Sequence, residues 1–214
     1  MRTIMFIEII ADVALCIILM LLIIEVFVFQ KALQKQGISF EINLGNIISK
    51  KQLIDILDLL ESENKDYKVK GRRIIIYGYK SQYIFPYLVR LFLAHIFKQE
   101  ELINKYKKVM TRDSQGALPC GGYIDKYDII EIYEFNLKRI GRTENIDILK
   151  AQLVNSIAHE FRHRAQYINQ IDVVDEEADA EEFAKYFCNK NKQKLKEILN
   201  LLHTITFKNI NSNL

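Results

Sequence analysis

Cysteine, proline and glycine are all scarce in this chain. Three cysteines stand among 214 residues. Cys16, Cys120 and Cys188 lie far apart, no CxxC or other cysteine-rich metal spacing occurs, and the count is odd. A disulfide framework is therefore not expected, and a reducing compartment is the simpler setting. Two prolines and eight glycines argue against long disordered linkers. A surplus of one charge is lacking too. Thirty basic and 27 acidic residues leave +3. That balance is too even for binding nucleic acid through bulk charge, so no nucleic-acid partner is expected. No internal repeat is visible.

What is present is apolar mass. Half of the chain is hydrophobic, enough for one globular domain plus an appendage. From Ile9 to Phe29 only Asp12 and Glu25 interrupt an apolar run. The uninterrupted core, Val13 to Ile24, is short for a membrane span. The two acids are 13 residues apart, so a helix would separate them by about 20 Å. Both could then sit near opposite interfaces of a hydrocarbon layer about 30 Å thick, where their cost is reduced. A cleaved signal peptide fits less well, because only Arg2 precedes the run and no small-x-small site follows it. The competing reading is a buried helix of a soluble protein. The expectation is an N-terminal transmembrane helix, a single-pass anchor in the lipid bilayer. Lys31, Lys35, Lys50 and Lys51 follow the span and only Arg2 precedes it, so the positive-inside rule puts the rest of the chain in the cytoplasm.

The remainder divides into recognisable stretches. Residues 1–30 read as the anchor, 31–65 as a juxtamembrane connector with an amphipathic helix, and 66–214 as the main domain. A brief extended piece is expected at Ile38–Leu44. Leu53, Ile54, Ile56, Leu57 and Leu60 mark one helical face within Ile48–Ser62. The run YKVKGRRIIIYGY (67–79) reads as one or two strands. Ser81 to about Met110 reads as a helix with Pro86 in its first turn. Thr111–Gly122 is the clearest loop, and YDIIEIYEF (127–135) a strand. Two long helices close the chain. One spans about Glu144 to Asn169, with Thr143 or Asn145 as cap. The other runs from near Asp172 to about His203, acidic at its start and rich in lysine at its end. The break at Asn169–Ile171 should fold the second helix back on the first.

The first of these helices carries His159-Glu160-Phe161-Arg162-His163, an HExxH pattern. Residues i and i+4 share a helix face, so His159 and His163 can present two imidazoles to one metal. Glu160, next to the first ligand, can reach a metal-bound water and take its proton as general base. Leu149, Leu153, Ile157 and Phe161 mark the buried side of that helix. Two imidazoles plus one further donor and an open position describe catalytic Zn2+.

The second helix reads Glu177-Ala178-Asp179-Ala180-Glu181-Glu182-Phe183-Ala184. Together with HEFRH it resembles the E-x-x-A-[DEN]-x-F-A segment of gluzincin-type zinc metallopeptidases, in particular the phage- and mobile-element-associated ImmA/IrrE-like group. The resemblance covers about residues 127–188. The stretch RHRAQ (162–166) also looks like phage-type relatives with Gln just after the second His. The resemblance implies Glu177 as third metal ligand and Glu181 as the acid that supports a ligand imidazole. It also implies an α+β fold: a zincin-like domain with two long C-terminal helices packed on a small, mainly antiparallel sheet. YDIIEIYEF would be the edge strand that aligns a substrate. Asp175 and Glu176 are the alternative ligands should the pairing shift by a turn. Glu177, Glu181, Ala184 and Cys188 form one helical stripe, which agrees with an inward-facing arrangement; a solvated acidic first turn is the plainer alternative.

Other residues carry less. Tyr167, one turn past His163, is a candidate oxyanion donor beside Glu160. His203 could serve the same end but reads more simply as a surface or packing residue, and His95 as a core histidine. Arg72-Arg73 and Lys107-Lys108 read as solvated, and Cys120-Gly121-Gly122 as a turn. The resulting expectation is a membrane-anchored zinc metallopeptidase acting on a protein or peptide substrate. Its alternatives are a non-catalytic zinc-binding domain and a membrane adaptor in which HEFRH is accidental.

Overall fold

The computed structural model describes residues 39–64, 71–96, 119–125, 128–140 and 145–201, with isolated positions between 98 and 107. All lie within one unit, Ser39–Leu214. The expected membrane anchor lies outside them. Among the described residues no helix is long and apolar enough to cross a membrane.

The elements run β1 (Phe40–Asn43), α1 (Lys50–Glu63), β2 (Arg73–Tyr77), α2 (Lys80–Ile96), β3 (Gly121–Ile124), β4 (Ile129–Tyr133), α3 (Glu134–Ile140), α4 (Ile146–Asn169), α5 (Glu176–Lys190) and α6 (Lys192–Leu199). The fold is α+β, as expected, but the sheet is not mainly antiparallel. Its order is β1-β2-β4-β3. The first two pairings are parallel and only β3–β4 is antiparallel. A helix-bearing connection, α1, lies between β1 and β2, and such a crossover is what parallel neighbours require. The RIIIY run of β2 is buried throughout, as a strand covered on both faces should be.

A second correction concerns the edge. Ile129–Tyr133 of the YDIIEIYEF run forms β4, which lies inside the sheet between β2 and β3. Among the described residues the edge strands are β1 and β3, and β3 is drawn from a stretch that reads as loop because Gly121-Gly122 supplies no β propensity. Residues 39–63, expected to precede the main domain, contribute a strand to its sheet and Leu53, Ile56, Leu57 and Leu60 to its core. Glu134, fully buried, binds them further by accepting from the backbone N–H groups of Asn46 and Ile47.

Side-chain alternation divides the sheet. Ile74, Ile76, Tyr123, Ile130 and Ile132 face the main core, which α4 fills with Leu149, Leu153, Val154, Ile157 and Phe161. The opposite face carries Tyr77, Glu131 and Tyr133. There Arg90 of α2 pairs with Glu131, both buried, and Tyr77 and Tyr133 donate hydroxyls to the same carboxylate at 3.0 and 3.2 Å. Burial first, and then the Glu131 charge, push both phenols well above their usual pKa, which keeps them neutral donors. Arg72 and Arg73 are not solvated. Arg72 lies among Glu41, Asp58 and Glu61, and Arg73 is buried within 3.8 Å of Asp128. His95, expected in the core, is exposed.

The last long helix is shorter than expected at both ends. It starts at Asp175, whose Oδ1 accepts from Ala178 N at 3.0 Å. It breaks at buried Asn191, where α6 begins. His203 lies outside the described residues.

The buried pair gives a stability test. Arg90→Met strands Glu131 without its cation and should lower unfolding free energy by about 3–5 kcal/mol. The double variant Arg90→Met/Glu131→Leu should recover most of that. Denaturant unfolding monitored by circular dichroism reads both.

Candidate metal centre

The centre is made where two helices cross. α4 begins at Asn145, whose Oδ1 accepts from Asp147 N at 3.0 Å and Ile148 N at 3.4 Å; of the two candidate caps, this is the one used. Leu153, Ile157 and Phe161 bury one side of α4, which sets His159 and His163 on a neighbouring face. α4 ends at Gln170, in the left-handed conformation with φ of 50°, and Ile171 N returns to Gln166 O at 2.9 Å. The chain then reverses into α5.

Three side chains converge as a result. His159 Nε2 and His163 Nε2 lie 3.0 Å apart. Glu177 Oε2 is 3.3 Å from the first and its Oε1 3.5 Å from the second. A tetrahedral ion bound at about 2.1 Å holds neighbouring donors about 3.4 Å apart, so this spacing suits a small divalent cation. These are also the only three His, Cys, Asp or Glu side chains among the described residues so grouped. Glu177 is 79% exposed while the imidazoles are largely enclosed, so the carboxylate closes the group from the solvent side. Its hydrogen bonds, first with His159 and then with His163, hold it well below the usual carboxylate pKa. Burial works to lower the His163 pKa, but Glu177 and Glu160 outweigh it and the net direction is upward. Asp175 is spent as the α5 cap and Glu176 supplies a backbone carbonyl, not a carboxylate, to the network.

Behind the imidazoles lies a polar chain that the sequence reading did not assemble. Gln166 Oε1 accepts from His163 Nδ1 at 2.9 Å. Its amide is oriented by its other end, where Nε2 donates to Asp179 Oδ2 at 2.6 Å and Glu176 O at 3.1 Å. With Nδ1 donating, Nε2 of His163 keeps its lone pair for a metal. Asp179 in turn takes two hydrogen bonds from Arg162, at 2.6 and 3.1 Å. Arg162 first, through that hydrogen bond, holds Asp179 below its usual pKa. Gln166 was legible, since it lies three residues after His163 on the same helix face. Asp179 was not, because its partners come from another helix. Glu181, expected to brace an imidazole, stands half-exposed with Lys185 Nζ 2.6 Å from its Oε1.

Glu160 is buried against β3. A Cβ placed on Gly121 would fall 2.8 Å from Glu160 Cγ and 2.9 Å from its Oε1, so Gly121 is the residue that makes room for this carboxylate. The β3–β4 hairpin is tied to α4 next door: buried Arg164 grips Asp128 through Nε at 2.6 Å and Nη2 at 3.0 Å. Burial, with the Glu160 charge adding to it, pushes the neighbouring Cys120 thiol up to about 12, so it has little thiolate at neutral pH. Tyr167 is exposed and its ring lies edge-on to Tyr123. Comparison with family models, curated proteins and solved structures finds no match to this chain.

The chain behind His163 predicts a measurable loss. Asp179→Ala frees Gln166 and Arg162, and the affinity for any divalent cation held by His159, His163 and Glu177 should fall about 10- to 100-fold. Competition against a chromophoric chelator reads this directly.

Proposed function

We propose that this protein is a zinc-dependent peptidase of gluzincin type, held at a membrane by its N-terminal segment with the peptidase part on the cytoplasmic side. The observation that carries the reading is the convergence of His159, His163 and Glu177 beside a buried Glu160 and an outer strand. His159 Nε2, His163 Nε2 and a Glu177 carboxylate oxygen would hold the ion. Bound zinc supplies a water of lowered pKa and polarises the scissile carbonyl.

The chain's own residues do the rest. Glu160, fixed against Gly121, accepts the proton of the attacking water on a carboxylate oxygen and delivers it to the leaving amine. Gln166 holds His163 in the tautomer that a ligand needs. β3, at one edge of the sheet among the described residues, takes the substrate-aligning place that the resemblance gives to YDIIEIYEF. That β3 rather than β4 has this position changes which residues touch substrate, not the kind of recognition.

Full-length protein should carry one zinc per chain by metal analysis. His159→Ala and His163→Ala should lose it. Glu160→Gln should keep the zinc yet lose peptide hydrolysis by at least about 100-fold; full activity in that variant would refute the mechanism. Gly121→Ala should also retain zinc. By displacing Glu160 it should lower kcat about 100-fold with a smaller change in KM, measured on any peptide the wild type cuts. Reporter fusions at the C-terminus would test the cytoplasmic orientation.

A further inference from the structure

Large apolar side chains form an exposed row on α2. Ile84, Leu88 and Phe92 recur every fourth residue, so about one turn separates each from the next. They are 37%, 53% and 56% exposed. The opposite side of the helix is spent on the sheet. Tyr83 is buried against Tyr77 and Tyr133, with ring centroids 5.2 and 5.0 Å away, and Arg90 pairs with Glu131. A helix that covers a core and faces water carries polar residues on its outer side; α2 carries this row instead. It also contains no Asp or Glu, and its basic residues are Lys80, Arg90 and His95.

The same contacts give the direction of α2. Tyr77 and Tyr133 are the last residues of β2 and β4, and Glu131 precedes Tyr133 by two. From Tyr83 to Arg90 the helix therefore descends from the carboxyl ends of these strands toward their starts. β1 runs parallel to β2, so Phe92 and the start of β1 lie toward the same end of the sheet. The chain comes to that end from the apolar run Ile9–Phe29. Ser39 is ten residues beyond Phe29, a reach of at most about 36 Å, and Lys31 and Lys35 lie in between. With the run as anchor, the end of the sheet that carries Phe92 is tethered within that reach of the bilayer.

We propose that the Ile84–Leu88–Phe92 face of α2 lies in the interface of an anionic bilayer, so that the domain is held at the membrane by two elements. The inference rests on the membrane-anchor part of the reading above, not on its peptidase part. An interfacial helix buries such a face about 5–10 Å into the boundary between headgroups and acyl chains. A helix without acids meets no repulsion from an anionic leaflet. α4 fills the core on the other face of the sheet and α5 packs on α4. Docking through α2 thus leaves His159, His163 and Glu177 on the side of the sheet away from lipid, where a substrate would arrive from water.

The chain has no tryptophan, so a single introduced indole reports on one place. Full-length Leu88→Trp, Phe92→Trp and, as a control on exposed Tyr186 of α5, Tyr186→Trp are reconstituted with vesicles of phosphatidylcholine and phosphatidylserine. The acyl chains are either ordinary or brominated near the headgroup. Leu88→Trp and Phe92→Trp should fluoresce at shorter wavelength with vesicles and be quenched at least about twofold by brominated lipid, while Tyr186→Trp stays unquenched. Both reporters replace exposed side chains, and either one decides the test where the other does not fold. Unquenched emission at Leu88→Trp or Phe92→Trp in protein that floats with the vesicles overturns the proposal and leaves the anchor standing. A shift to shorter wavelength without quenching does the same, because protein and not lipid then covers the face. Equal quenching of Tyr186→Trp overturns it too, since no one face is then chosen. Protein that does not float with vesicles overturns the anchor reading, and this proposal with it.

Discussion

The seating of α5 on α4 is the contact on which the rest of the centre depends. Asp179 sits at its middle, gripped by Arg162 from one side and Gln166 from the other. That single carboxylate joins two tasks. It fixes where α5 lies, which carries Glu177 to the imidazoles, and it orients the amide that selects the His163 tautomer. Charge-assisted hydrogen bonds of this kind are short and directional. They suit a job in which the error allowed to a metal ligand is a few tenths of an ångström.

The β3 side of α4 obeys a steric constraint. Glu160 can be buried next to His159 only because Gly121 lacks a side chain. The Arg164–Asp128 contact keeps that glycine opposite the right turn of α4. The outer strand and the motif helix are thereby registered on each other, one by an absence of atoms and the other by an ion pair. Below the sheet, the Arg90–Glu131 pair and its tyrosines belong to a separate polar layer facing α2. Its contribution is to hold β2, β4 and α2 together.

Much of the local architecture was legible. The amphipathic helix near 50–63, the RIIIY strand, the long motif helix and its asparagine cap all follow from hydrophobic period and capping chemistry. The misreadings share a cause. β3 was hidden because two glycines carry no β propensity, and its strand state comes from pairing with β4. Glu131 sits inside a strand and Arg73 at the start of one, both buried, although neither is apolar; long-range partners made that possible. Sheet direction was missed because pairing depends on which elements meet, and no local pattern records it.

By itself the sequence determined which side chains could carry metal chemistry. Two histidines four apart on a helix must share a face, and a glutamate beside the first must lie near whatever they bind, because 3.6 residues complete a turn. The tertiary structure alone decided the company they keep. Glu177 comes within reach through the reversal at Gln170, Asp179 through the crossing of two helices, and Gly121 through the hairpin docked on Arg164. These contacts join residues far apart in the chain. They exist only because burial of α4 against the sheet and α5 brings those segments together.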